Sequence, residues 1–184
     1  MPYAFNSHNP NLNYAVNQLN RNNNIFAELL GLVQDTVDNI VAGAGSIATS
    51  DQVEMAVNWA IDRASNFYVT YSQVNRNLKN THGLSFDCSS FIITAFYAAG
   101  LDINATYTGD MVSGFTAAGF KWIPGSEWYS NQLKKGDILL NIANHTQMYI
   151  GQNQDVNCGS TPARVQGHSV DNYGRGWDGI LRYE

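Results

Sequence analysis

At 184 residues the chain has room for one ordinary domain and a modest appendage. Its 44% hydrophobic and 12% aromatic residues are globular values and exclude disorder across the whole chain. The net charge of −5, with no basic cluster larger than Lys134–Lys135, argues against a nucleic-acid-binding protein.

Charged residues are only 14% of the chain, and Asn, Gln, Ser and Thr supply much of the polarity, a style suited to extracellular or virion proteins. The opening "MPYAFNSHNPNLNYAVNQLN" lacks the basic start and apolar stretch of a signal peptide. No apolar run approaches the roughly 20 residues of a membrane span. Four histidines and two cysteines show no zinc-like spacing, so neither a metal nor another cofactor is expected. A Cys88–Cys158 disulfide is not needed by a chain of this size.

In chain order, residues 1–24 contain nine asparagines and two prolines and read as an irregular arm. Phe26, Leu30, Val33, Val37 and Ile40 then repeat at spacings of 4, 3, 4 and 3. That stripe predicts a helix over 25–41, either an amphipathic helix lying on its own domain or a docking or self-association helix. "AGAGS" at 42–46 punctuates the chain, and a domain boundary is expected near Ser50: residues 1–49 form a tether or docking segment, residues 50–184 the main domain.

A second helix is expected from Asp51, with Glu54 closing a capping box and Val53, Ala56, Val57, Ala60, Ile61 and Ala64 on its apolar face. Residues 68–86 read as loop, apart from a short extended "YVTYS". A third helix spans Cys88 to Ala99, closed by Gly100, and a shorter fourth covers Asp110 to Ala118. Strands follow at 120–123, 137–142, 145–151, 155–158, 163–166 and 179–183. Helices first and closely spaced strands later predict an α+β domain, with the helices packed on a mainly antiparallel sheet of five or six strands.

Cys88 stands at the start of an apolar helix. A thiol there is either a small core filler or a nucleophile favoured by the helix dipole and unpaired N–H groups. A nucleophile needs a base and a group to orient it. His145 opens a strand, and Asn157 lies twelve residues on, where an antiparallel neighbour could set it beside the imidazole. His8, His82 and His168 read as solvated arm, loop and turn residues. Cys158, on the opposite strand face from Asn157, reads as packing.

"FDCSSFIITAFYAAG", "KKGDILL", "HTQMYIG" and Asn157 together resemble the NlpC-type papain-like cell-wall cysteine peptidases, most closely the cysteine amidases of phage lysins. The resemblance covers roughly residues 51–184 and departs from many family members at Ser90, where they carry glycine. It implies a papain-like core with Cys88 as nucleophile, His145 as base and Asn157 as orienting residue. Tyr71 then corresponds to a tyrosine that lines the site and helps the oxyanion hole, and Asp87 and Ser89 to residues that shape the substrate pocket; Asp87 is also placed to cap the helix. The implied activity is hydrolysis of an amide in or at the stem peptide of bacterial peptidoglycan, as muramoyl-L-alanine amidase or endopeptidase, by a phage or prophage protein carried on the virion or released to the wall. A structural or wall-docking virion protein that keeps the fold without the activity is the other expectation.

Overall fold

The computed structural model of the chain describes residues 48–127, 132–168 and 176–184. The arm expected over 1–24 and the helix expected over 25–41 lie outside the described residues.

Helix α1 (Ser50–Asn66) begins slightly earlier than its apolar stripe suggested. Its cap is Thr49, whose hydroxyl accepts from Gln52 N–H at 3.2 Å while Gln52 Oε1 accepts from Thr49 N–H at 3.0 Å. The capping box is therefore Thr49/Gln52 rather than Asp51/Glu54. Thr49 is the residue with the extended backbone that a cap requires, and Glu54 instead pairs with Lys135.

Two short strands, β1 (Thr70–Tyr71) and β2 (Ser85–Phe86), pair in parallel. The second was hidden inside a stretch that reads as loop, because two residues carry no period. Helix α2 (Cys88–Ala98) follows at once, and its residues Cys88 to Phe96 are all buried. A helix apolar around its whole circumference has to sit inside the domain, and α2 does so, packed against α1 and the sheet. Near its start Phe91 meets Trp59 and Phe86 at 5.6 and 5.7 Å. Near its end Phe96 meets Phe115 and Phe120 edge-on at 5.1 and 5.4 Å. These aromatic clusters fix α2 at both ends. A 3₁₀ turn (Thr108–Asp110) leads into α3 (Met111–Ala117), which carries Phe115.

The rest is one antiparallel sheet of six strands: β3 (Phe120–Pro124), β4 (Ile138–Asn141), β5 (His145–Gly151), β6 (Gln154–Asn157), β7 (Arg164–Gly167) and β8 (Gly179–Tyr183). The order across it is β3-β8-β4-β5-β6-β7. All six strand expectations hold to within a residue or so. The sheet's helix-facing side supplies Ile138, Leu140, Met148, Val156 and Leu181 to the core.

The Gly-Asp pair before β4 has two separate jobs. Gly136 has φ +92°, and a Cβ there would lie 2.2 Å from Val53 Cγ1 of α1, so both the turn and the helix approach demand glycine. Asp137, 1% exposed, receives Arg182 Nε and Nη2 at 2.8 and 2.6 Å and Lys134 N–H at 2.7 Å. This buried fork ties the entry of β4 to β8. Removing one member of such a pair strands the other charge, so Arg182→Met should lower unfolding free energy by about 3–5 kcal/mol. Adding Asp137→Asn should restore part of the loss, with urea titrations followed by circular dichroism as the measurement.

Candidate active site

The site is built on the junction of β2 and α2. Asp87 is the helix cap: its Oδ1 accepts from Ser90 N–H at 2.7 Å and from Ser89 Oγ at 2.9 Å. Ser90 Oγ accepts from Asp87 N–H at 2.9 Å, completing a capping box. Ser90 is the position where the resemblance departs from glycine, and its hydroxyl does cap work that glycine has no side chain to do. Arg76 closes the cluster, donating from Nη1 to Asp87 Oδ2 at 2.6 Å and to Ser89 Oγ at 3.2 Å.

This cap delivers Cys88, 6% exposed, at the first turn of α2. The backbone N–H groups of Thr146, Ser89 and Cys88 itself lie near enough to its sulfur to lower its pKa. These donors favour a thiolate, but burial outweighs them and, with Asp87 beside it, pushes the thiol up to about 11. His145, the residue before Thr146, is held by burial down to about 4. The resting site therefore holds a neutral thiol and a neutral imidazole.

Strand pairing decides what surrounds His145. β5 pairs with β6 with Met148 opposite Val156, and continuing that register sets Asn157 opposite Gln147 and Gly159 beside His145. Asn157 Oδ1 accepts from Gly159 N–H at 2.9 Å, while its buried Nδ2 has no hydrogen-bond partner. A Cβ on Gly159 would stand 2.9 Å from His145 Cε1 and 3.1 Å from Asn157 Oδ1, so the imidazole and the carboxamide oxygen converge over a glycine that leaves room for both. On the other side of the ring lies Trp177, centroid 6.1 Å away and tilted by 31°. Its segment is tied to the end of β4 by Asn141 Nδ2 to Gly176 O at 3.1 Å and by Ile142 N–H to Asp178 Oδ2 at 2.7 Å. Asn141 pairs with His145, which explains the placement.

Tyr71 arrives from β1. Its phenol pKa is raised by burial, then by the nearby Cys88 and Asp87, so the ring belongs to the same cleft. Cys158 is fully buried, its sulfur 3.4 Å from Phe86 O, and belongs to the packing beneath β1 and β2. His82 is exposed. His168 departs from the expectation of a surface turn residue: its side chain is 3% exposed and its Nδ1 lies 2.7 Å from Asp155 Oδ2, which also accepts from Gln147 Nε2 at 2.7 Å. Strand β7 carries it onto the sheet face, where that carboxylate lies buried.

The structure thus gathers Cys88, Tyr71, Asp87 and Ser89 at one cleft, with His145 and Asn157 converging over Gly159 beside Thr146. Arg76, Thr146, Gly159 and Trp177 were not singled out from sequence. Arg76 acts through a partner eleven residues away, and Trp177 lies in a turn without periodicity.

A family model for the endolysin-like domain matches residues 37–156. The chain belongs to the endolysin-like domain family. Among solved structures, its fold is similar to the peptidoglycan hydrolase RipB of Mycobacterium tuberculosis, at 21% identity and TM-score 0.50, covering 73% of this chain and 68% of that one. The P60 domain of an antigen from M. avium subspecies paratuberculosis matches at 21% identity and TM-score 0.50, covering 71% and 96%. RipD of M. tuberculosis, described as a non-catalytic NlpC/p60 domain protein adapted to peptidoglycan binding, matches at 16% identity and TM-score 0.51, covering 73% and 98%. The chain spans about two thirds of the length of RipB. No curated protein matches it significantly. The fold of this endolysin-like domain is thus the NlpC/p60 fold, with its helices and antiparallel sheet. Among the described residues no helix is long and apolar enough to cross a membrane.

The His145 environment predicts a pH effect. Its folded pKa of about 4 lies below the ordinary 6.5, so between those values the unfolded chain binds the proton first. The stability is present above pH 6.5 and is lost as pH falls towards 4. Relative to His145→Gln, the parent should lose up to about 3 kcal/mol between pH 7 and pH 4. Paired urea titrations at several pH values measure that difference, from which acid effects common to both proteins cancel.

Proposed function

We propose that this endolysin-like domain is a cysteine-dependent peptidoglycan hydrolase of phage or prophage type that cuts an amide in or at the stem peptide, acting from the virion or after release at the cell wall. The observation that carries the proposal is Cys88: a thiol at the capped start of a helix, where neighbouring backbone N–H groups favour its thiolate and the strand that opens on His145 supplies one of them. A core filler would need none of these donors.

In this reading His145 serves as the general base for the thiol. It takes the proton from Cys88 as the sulfur forms its bond to the amide carbon. Starting from neutral groups, proton transfer and attack are coupled. The oxyanion is met by the Cys88 N–H and the Tyr71 hydroxyl. The imidazolium then protonates the departing amine as the C–N bond breaks. Water, deprotonated by His145, splits the thioester to a carboxylate and returns the proton to sulfur. Asn157 limits the ring's rotation, and Trp177 walls its other side. Peptidoglycan is the partner, and residues 25–41 are assigned to docking or self-association.

Wall lysis by purified protein, followed as loss of turbidity, tests the mechanism. Cys88→Ser should fold normally and lose about a hundredfold or more of the rate, and His145→Ala about as much. Mass spectrometry of the products identifies the bond: a new L-alanine amine reports the amidase, a new diamino-acid amine the endopeptidase. Undiminished lysis by Cys88→Ser would overturn the thiol mechanism.

A second reading is a wall-binding module without catalysis. It is favoured by RipD, a non-catalytic protein of this fold. In that case the parent and Cys88→Ser should sediment equally with walls, and neither should clear them.

A further inference from the structure

The residues on either side of the nucleophile are already occupied, and the group that occupies them is a cation. Asp87 spends its carboxylate on Ser90 N–H, Ser89 Oγ and Arg76 Nη1, and Ser89 also meets Arg76. Neither side chain is left to bind substrate. Arg76, in contrast, uses Nη1 alone. Its Nε and Nη2 make no hydrogen bond among the described residues, and its side chain is 24% exposed. The Nε/Nη2 edge is the planar fork that takes a carboxylate bidentately, as Arg182 does on Asp137 in the same protein.

The loop holds this guanidinium in place before any ligand arrives. Asn77, next to Arg76, donates its N–H to Ser85 O at 2.5 Å and accepts Ser85 N–H on Oδ1 at 3.1 Å. Asn75 N–H reaches Ser72 Oγ at 2.9 Å. Nearby cations are engaged elsewhere: Lys79 pairs with Asp102, while Arg63 lies over Phe67 and donates to Thr81 O.

We propose that Arg76 is a specificity-determining residue whose Nε/Nη2 edge receives a carboxylate of the stem peptide beside the scissile amide. The γ-linked second residue of a stem peptide carries an α-carboxyl that is either free or amidated, and it lies within one residue of either candidate bond. Arg76 therefore selects free-acid stems over amidated ones. This deepens the hydrolase reading and rests on peptidoglycan being the substrate.

The test uses binding, so that it does not depend on turnover. Two synthetic muramyl peptides, identical except for a free or amidated α-carboxyl on the second residue, are titrated by calorimetry into the Cys88→Ser protein. The free acid should bind about tenfold or more tightly. With Arg76→Gln added the two peptides should bind alike, and Arg76→Lys should keep part of the difference. Equal binding of the two peptides by the protein with Arg76 intact overturns the proposal, as does failure to bind either. Proportional weakening of both peptides by Arg76→Gln also overturns it, because Arg76 then serves only to hold Asp87. Lysis by the parent protein is a separate readout, so hydrolysis indifferent to amidation would remove the carboxylate assignment and leave the hydrolase reading standing.

Discussion

The capped start of helix α2 is the constraint on which the rest of the structure turns. A helix of this apolarity must be buried, yet its first N–H groups have no partners inside the helix. Asp87 and Ser90 satisfy the end reciprocally, and Arg76 balances the charge the cap brings into a buried place. The aromatic contacts of Phe91 and Phe96 then lock the axis. With both ends fixed, Cys88 has one position, beside the start of β5 and the Thr146 N–H. Satisfying a buried helix end and creating a site rich in N–H donors are one event here.

The electrostatics of the cleft follow from the same burial. Desolvation is the largest influence on Cys88, Cys158, His145 and Tyr71 alike, and in each case it favours the neutral form. The two thiols differ in the backbone groups beside them. The Cys158 thiol donates towards the carbonyls of Phe86 and Thr70, whereas the N–H groups of Thr146, Ser89 and Cys88 favour negative charge on Cys88.

The supports of the imidazole illustrate how little a sheet needs to build a site. A strand ends, the chain bends after Asn157, and a glycine opens space in which a ring and a carboxamide meet. Trp177 closes the opposite side because its neighbours are tied to the end of β4, next to the residue that pairs with His145. On the same strand face, Asp155, Gln147 and His168 form a buried polar cluster that anchors β7 to β5 and β6.

Local patterns alone determined most of the architecture: the stripe of α1, the unbroken apolar run of α2, and the six strands, whose alternation and turn residues place them almost to the residue. The same local chemistry singled out Cys88 at a helix start, with His145 at a strand start and Asn157 one strand further on. What it could not determine was anything fixed by contact between distant segments. The cap of α1 moved to Thr49 because backbone conformation, not residue type, selects among neighbouring candidates. β2 and the burial of His168 emerge only from pairing. The neutral resting state of the thiol and imidazole is set by desolvation, which depends on everything packed around them. Arg76 reaches the neighbours of Cys88 across a loop, and Trp177 reaches His145 from a turn near the chain's end. Side chains separated by many residues become partners only when the fold has placed both, so the tertiary structure alone decided them.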